Sequence, residues 1–152
     1  MKPTLLIIYH SQSGNTRTLA AAIFESCIEV QLANVLLKTA KETNLEDVLT
    51  AQGILIATPE YFGTMSGALK DFFDRTYYPA RENQVNIPYA LLVCCENEGQ
   101  GTVRDVQKIA QGYTLRQSLN PLIIKDVEVN MRLQEAREFG LTFLTGLEMG
   151  IF

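Results

Sequence analysis

The sequence predicts an α/β fold in three layers: a five-stranded parallel sheet, ordered 2-1-3-4-5, with helices on both faces. Three observations predict it. Short apolar runs alternate from end to end with segments of helical period, a pattern that implies parallel strands joined by crossover helices. Several of the runs are unbroken, as strands buried on both faces require. The 152 residues hold five such units, which fits one domain, 1–152, and falls short of the six-stranded order of dinucleotide-binding sheets.

The elements follow in order. Residues 5–9 (LLIIY) form the first buried strand. Over 15–27 the period changes, and Leu19, Ala20, Ile23, Phe24 and Cys27 fall on one helical face. Residues 30–37 read as a second strand, interrupted by polar residues and therefore near an edge. Residues 45–51 allow one or two helical turns. Residues 53–57 (GILIA) are the third strand. Residues 65–77 are helical, with Met65, Leu69, Phe72, Phe73 and Tyr77 on the buried stripe. Residues 78–88 hold Pro79 and Pro88 and read as a surface loop. Residues 89–95 (YALLVCC) form the fourth strand. A helix over 102–119 turns Val103, Val106, Ile109, Ala110 and Tyr113 inward. Residues 121–129 carry the fifth strand, and the chain closes on a helix from Leu133 that buries Ala136, Phe139, Phe143, Leu144 and Leu147.

Composition narrows the function. The net charge of -4 comes without any run of like charge, so the basic stripe of a nucleic-acid binder is missing. No apolar stretch reaches the ~18 residues needed to span a bilayer, and the N-terminus reads as a strand rather than a secretion signal, which points to the cytoplasm. The cysteines are Cys27, Cys94 and Cys95, with no C-x-x-C pair and His10 as the sole histidine, so an ordinary zinc site is not expected. Cys27 and Cys94 read as buried structural thiols.

Ligands of such sheets bind beyond the carboxyl ends of the strands. The first of these loops is Ser11-Gln12-Ser13-Gly14-Asn15-Thr16. Gly14 permits a tight turn and close approach. The hydroxyls of Ser11, Ser13 and Thr16 can donate to an oxyanion, and the free N–H groups of the following helix point the same way. The alternative is that Ser13 or Asn15 simply caps the helix. The density of donors favours a phosphate cup without a lysine. G-x-x-x-x-G-K-[ST] is absent, no cysteine stands in this loop, and Gly99-Gln100-Gly101 is followed by Arg104 instead of a third glycine.

The run Tyr9-His10-Ser11-Gln12-Ser13-Gly14-Asn15-Thr16 resembles the flavodoxin-type signature, an apolar strand entering T/S-x-T/S-G-x-T/S. The resemblance implies a flavodoxin-like fold whose Ser11, Gln12, Ser13, Asn15 and Thr16 surround the phosphate of FMN, with His10 at the loop's mouth. After the third strand come Pro59-Glu60-Tyr61-Phe62-Gly63. Two aromatic rings at a strand's carboxyl end suit stacking on a flat heteroaromatic, although a cover over the core or an oligomer contact would look the same. The P-E-Y part resembles the NADPH-dependent FMN reductases, which usually carry Asn where this chain has Phe62. The F-G-x-M-S-G part is similar to the flavodoxin-like NAD(P)H:quinone reductases of the tryptophan-repressor-binding type. By that likeness Pro59, Glu60, Tyr61, Phe62 and Gly63 line the isoalloxazine ring. In the third loop Cys95, Glu96, Gly99 and Gln100 would meet its pyrimidine end through backbone groups. An ordinary glycine loop capped at Thr102 is the alternative there.

A flavin supplies its own electron and hydride chemistry, so no catalytic side chain is named and no metal is expected. The leading expectation is an FMN-binding oxidoreductase that passes electrons from NAD(P)H to a quinone, a flavin or another acceptor. A flavodoxin-type carrier without turnover is the second reading, and a binding protein without flavin the third. Partners are a small-molecule or protein redox partner, with the 78–88 loop read as a cover over the flavin or a homodimer contact.

Overall fold

The computed structural model describes all 152 residues. In chain order the elements are β1 (Thr4–Tyr9), α1 (Asn15–Glu29), β2 (Asn34–Thr39), α2 (Leu45–Thr50), β3 (Gly53–Tyr61), β4 (Thr64–Met65) and α3 (Gly67–Glu82). There follow β5 (Pro88–Cys95), α4 (Gln100–Tyr113), β6 (Arg116–Gln117), β7 (Leu122–Lys125) and α5 (Leu133–Glu148). The parallel sheet runs β2-β1-β3-β5, and its fifth position is shared by β6, which pairs with the start of β5, and β7, which pairs with its end. This is the flavodoxin-like order 2-1-3-4-5, with a fifth strand broken in two.

Period-2 alternation explains the unbroken apolar runs. Leu6, Ile8, Ile54, Ile56, Leu91 and Val93 face one layer, where they meet Phe72 and Phe73 of α3 and Val106 and Tyr113 of α4. Leu5, Ile7, Leu55, Ala90 and Leu92 face the other, against Leu19 and Ile23 of α1 and Phe143 and Leu144 of α5. Each side chain pointing into either layer is removed from water, so the middles of the central strands are apolar except at Thr58, whose hydroxyl donates to the Pro59 carbonyl.

Several boundaries differ from the sequence reading, and the third strand runs on past Ala57 to Tyr61. The second strand begins at Asn34 because α1 runs on to Glu29 and its end turns through Gln31 at φ 56°. Met65 lies in β4, an antiparallel partner of β3, and α3 starts after it. The helix α3 does not stop at Pro79. Pro79 lies in its last turns, and the burial of Ala80 beyond it holds the helix through Glu82. Residues 78–82 are therefore helical, and only 83–87 form a loop. That loop leads into the start of β5, at the opposite end of the sheet from the ligand loops, so it cannot cover a flavin there. The helix α4 ends at Tyr113, because Thr114 turns left-handed at φ 67° and sends Leu115 back into the core. The fifth strand spans only Leu122–Lys125 before a 3₁₀ turn at Asp126–Glu128. No helix is long and apolar enough to cross a membrane.

Candidate cofactor site

Two helices begin at the carboxyl edge of the sheet in the same unusual way. Gly14 precedes α1 at φ 103°, ψ -12°, and Gly99 precedes α4 at φ 76°, ψ -10°; neither has a side chain that could cap the helix. By contrast α2 is closed by Asn44 and α3 by Ser66, whose side chains accept from Asp47 N–H and Leu69 N–H. At α1 the Ser13 and Asn15 side chains do not cap, so the first-turn N–H groups stay directed at the loop. Ser11 acts inside the loop, its hydroxyl accepting from the Gly14 N–H at 3.0 Å. Gln12 and Ser13 are exposed, Asn15 is half-buried, and Thr16 is buried beneath the loop. A Cβ built on Gly14 meets nothing within 4 Å, so the cradle is open on that side. An oxyanion fits this donor set and the positive end of the helix.

The second loop is a two-residue hairpin turn. Glu60 pairs with Met65 and Tyr61 with Thr64, leaving Phe62 and Gly63 at the tip with φ 53° and 76°. Such a type I′ turn suits Asn-Gly, and a bulky residue at its first position is strained. Phe62 is also fully exposed, at 106%. Tyr61 points the other way. Its ring meets His10 edge-on at 6.0 Å, and its hydroxyl lies toward the Gln12 backbone. Burial pushes the Tyr61 pKa up, and the Gln12 backbone opposes that shift.

Glu60 ties this hairpin to α4. Its Oε1 accepts from the Gly99 N–H at 3.2 Å, and its Oε2 from the Thr102 N–H at 3.4 Å and the Thr102 hydroxyl at 2.8 Å. Thr64 donates to Asp105 at 2.7 Å alongside, and a side chain at Gly101 would collide with the Gly63 carbonyl. The second and third loops thus form one continuous rim.

Residues 3–132 match the family described as NADPH-dependent FMN reductase. The chain belongs to this family. A curated flavodoxin from Aquifex aeolicus (strain VF5) is 36% identical over 70 residues, which cover 46% of this chain. The match spans 38% of that relative's length. Among solved structures, a flavodoxin from the domain Archaea superposes with a TM-score of 0.79 at 18% identity, over 95% of this chain and 99% of that one. A flavodoxin, WrbA-like protein from Agrobacterium tumefaciens gives 0.80 at 18%, over 97% and 99%. At these identities the structures show the shared fold. Family membership supports FMN at the site and flavin redox chemistry as its use.

The structure brings Ser11–Thr16 and the Tyr61 hydroxyl together on one side of the sheet's edge. Pro59 is buried in the strand, and the Glu60 carboxylate is turned away from the phosphate loop into the α4 terminus. Cys95 is buried in the core on the α4 side, where a Cβ on Gly99 would touch its Sγ, so only its backbone reaches the edge. Glu96 and Gln100 are exposed, and Gly99 is buried as the αL residue before α4. Cys94, its neighbour, faces the α1 side and donates to Asp126 at 3.1 Å, with Thr16 close by. Burial is the main cause that pushes Cys94 to about 12, and Cys27 and Cys95 each to about 11. Sequence reasoning missed Asp126, which only the fold carries beside Cys94, and the anchoring role of Glu60. A groove of about 880 Å³ lies between α3 and α4 below Phe62 rather than over the α1 terminus.

Proposed function

We propose that the protein is an FMN-dependent oxidoreductase that takes reducing equivalents from NAD(P)H and passes them to a quinone, a free flavin or another acceptor. The observation that carries this reading is Phe62. A phenyl ring held wholly in water on a left-handed backbone is disfavoured by both solvent and sterics. At the rim of a ring site it offers a flat face on which an aromatic donor or acceptor stacks, with a gain of about 1 kcal/mol. Bound FMN supplies the hydride and electron chemistry itself. The chain's residues bind and orient. The α1 terminus with Ser11–Thr16 would hold the phosphate, Tyr61 would border the ring, and Glu60 would keep the backbone of 95–100 at fixed spacing from the hairpin. The test is steady-state NAD(P)H oxidation by the FMN-loaded protein with quinone and flavin acceptors. Turnover no faster than free FMN sinks it.

The likeness to the flavodoxins favours a second reading, a carrier without its own turnover. A reductive titration separates the two: reduction in two resolved one-electron steps supports the carrier, and a single two-electron step the enzyme. The proposal includes a cytoplasmic location and a homodimer across the α3–α4 groove. Lys70 and Asp74, paired with each other on α3, and Asp105 and Lys108 on α4 give that face both signs of charge, which lets it complement a two-fold copy of itself. A monomer in sedimentation velocity would refute the dimer.

A further inference from the structure

Seven arginines are present, and five of them are engaged. Arg75, Arg104 and Arg132 are ion-paired, Arg81 bonds to Tyr77, and Arg116 bonds to Asn86. Arg17 and Arg137 enter no ion pair and no side-chain hydrogen bond. Both line one cleft of about 520 Å³ between α1 and α5, within the ~300–1,000 Å³ usual for ligand sites. The cleft begins at Gly14, on the side where the phosphate loop is open. Gly140 lies against Ile23, which sets the register of the two parallel helices: Arg137 stands level with residue 20, about one turn below Arg17. The wall between them is small and apolar, formed by Ala21 and Leu133. The cleft's one carboxylate, Glu25, lies eight residues beyond Arg17, about 12 Å further down the helix.

We propose that this cleft receives the adenylate half of FAD, so that the phosphate loop accepts FAD as well as FMN. The inference rests on the reading of Ser11–Thr16 as the flavin-phosphate loop. The second phosphate of FAD, joined to the first by an anhydride bond, leaves the loop past Gly14, where no side chain blocks it. The two free guanidinium groups then meet its charge in the upper cleft. The adenosine lies below them on Ala21 and Ala22, and Glu25 is far enough from the phosphates to accept from adenine or ribose donors instead of repelling them.

The test is calorimetric titration of the full-length, flavin-stripped protein with FMN and FAD separately, repeated on the Arg17→Gln/Arg137→Gln double variant. FAD is expected to bind about as tightly as FMN. The double variant is expected to lose about tenfold in FAD affinity, with FMN changed little, since solvent-exposed guanidinium–phosphate contacts are individually weak. FAD binding more than about tenfold weaker than FMN, or an equal loss of both flavins in the variant, overturns the proposal and leaves the FMN reading intact. Failure of the wild-type protein to bind either flavin overturns the FMN reading and the proposal with it.

Discussion

The helices α1 and α4 start alike, each on an αL glycine with no side-chain cap of its own, and they end up with different partners. At α4 a carboxylate arrives from another loop, and Glu60 fills the terminus with three hydrogen bonds. At α1 the Ser11 hydroxyl takes the Gly14 N–H, but no carboxylate arrives. The α4 terminus shows what this local geometry attracts, which is an anion held by backbone N–H groups at the positive end of a dipole. The one left without a protein anion is therefore the one suited to a ligand's phosphate. The difference is one of supply, not of local backbone.

The strongest way to break the contrast is to give α1 a carboxylate of its own. Ser13→Asp should weaken FMN binding by about 100-fold, since a negative charge ~6 Å from the phosphate costs about 3 kcal/mol at an effective dielectric near 20. The fold should keep its melting temperature, because the new carboxylate completes the helix end. FMN titration alongside a thermal melt reads both. The converse change empties α4. Glu60→Ala leaves the Gly99 and Thr102 donors without a partner and should destabilise the protein by about 2 kcal/mol in urea, whereas Glu60→Gln should cost about half of that.

The adjacent thiols report on the two termini separately, Cys94 beneath α1 and Cys95 beside α4. Both are held protonated, near 12 and 11, above an ordinary value of 9.0. Their contribution to stability is complete below pH 9 and is lost as the pH rises toward 11–12, because the unfolded thiols ionise first. The slope reaches at most ~1.4 kcal/mol per pH unit for each thiol. Urea midpoints measured from pH 7 to 11 check the sign. In thiol-labelling kinetics FMN should slow Cys94, and Glu60→Ala should speed Cys95. The smallest effect belongs to the rim between the termini. Phe62→Asn relieves the left-handed strain and should raise stability by up to about 1 kcal/mol, while acceptor turnover falls. A variant that is both more stable and equally active would remove Phe62 from the proposed function.

The buried strands were legible because burial on both faces makes them almost wholly apolar, and the phosphate loop because its donors are consecutive in the chain. Pro79 misled, since a proline near the end of α3 removes one hydrogen bond while the burial of Ala80 holds the helix on. Met65 misled because its apolar spacing suits either a helix or the short β4. The fifth strand was harder still, because β6 and β7 follow the length of β5 rather than any period of their own.

By itself the sequence determined the sheet, its two helical layers and the loop where an anion belongs, since all of these follow from residues close together in the chain. Only the tertiary structure decided which helix terminus keeps its free donors. Glu60 lies thirty-nine residues from Gly99 and reaches it because β3 and β5 are neighbours in the sheet. Arg17 and Arg137 likewise share a cleft only because α1 packs on α5. Pairing across such distances is set by strand order and packing, which no local pattern records.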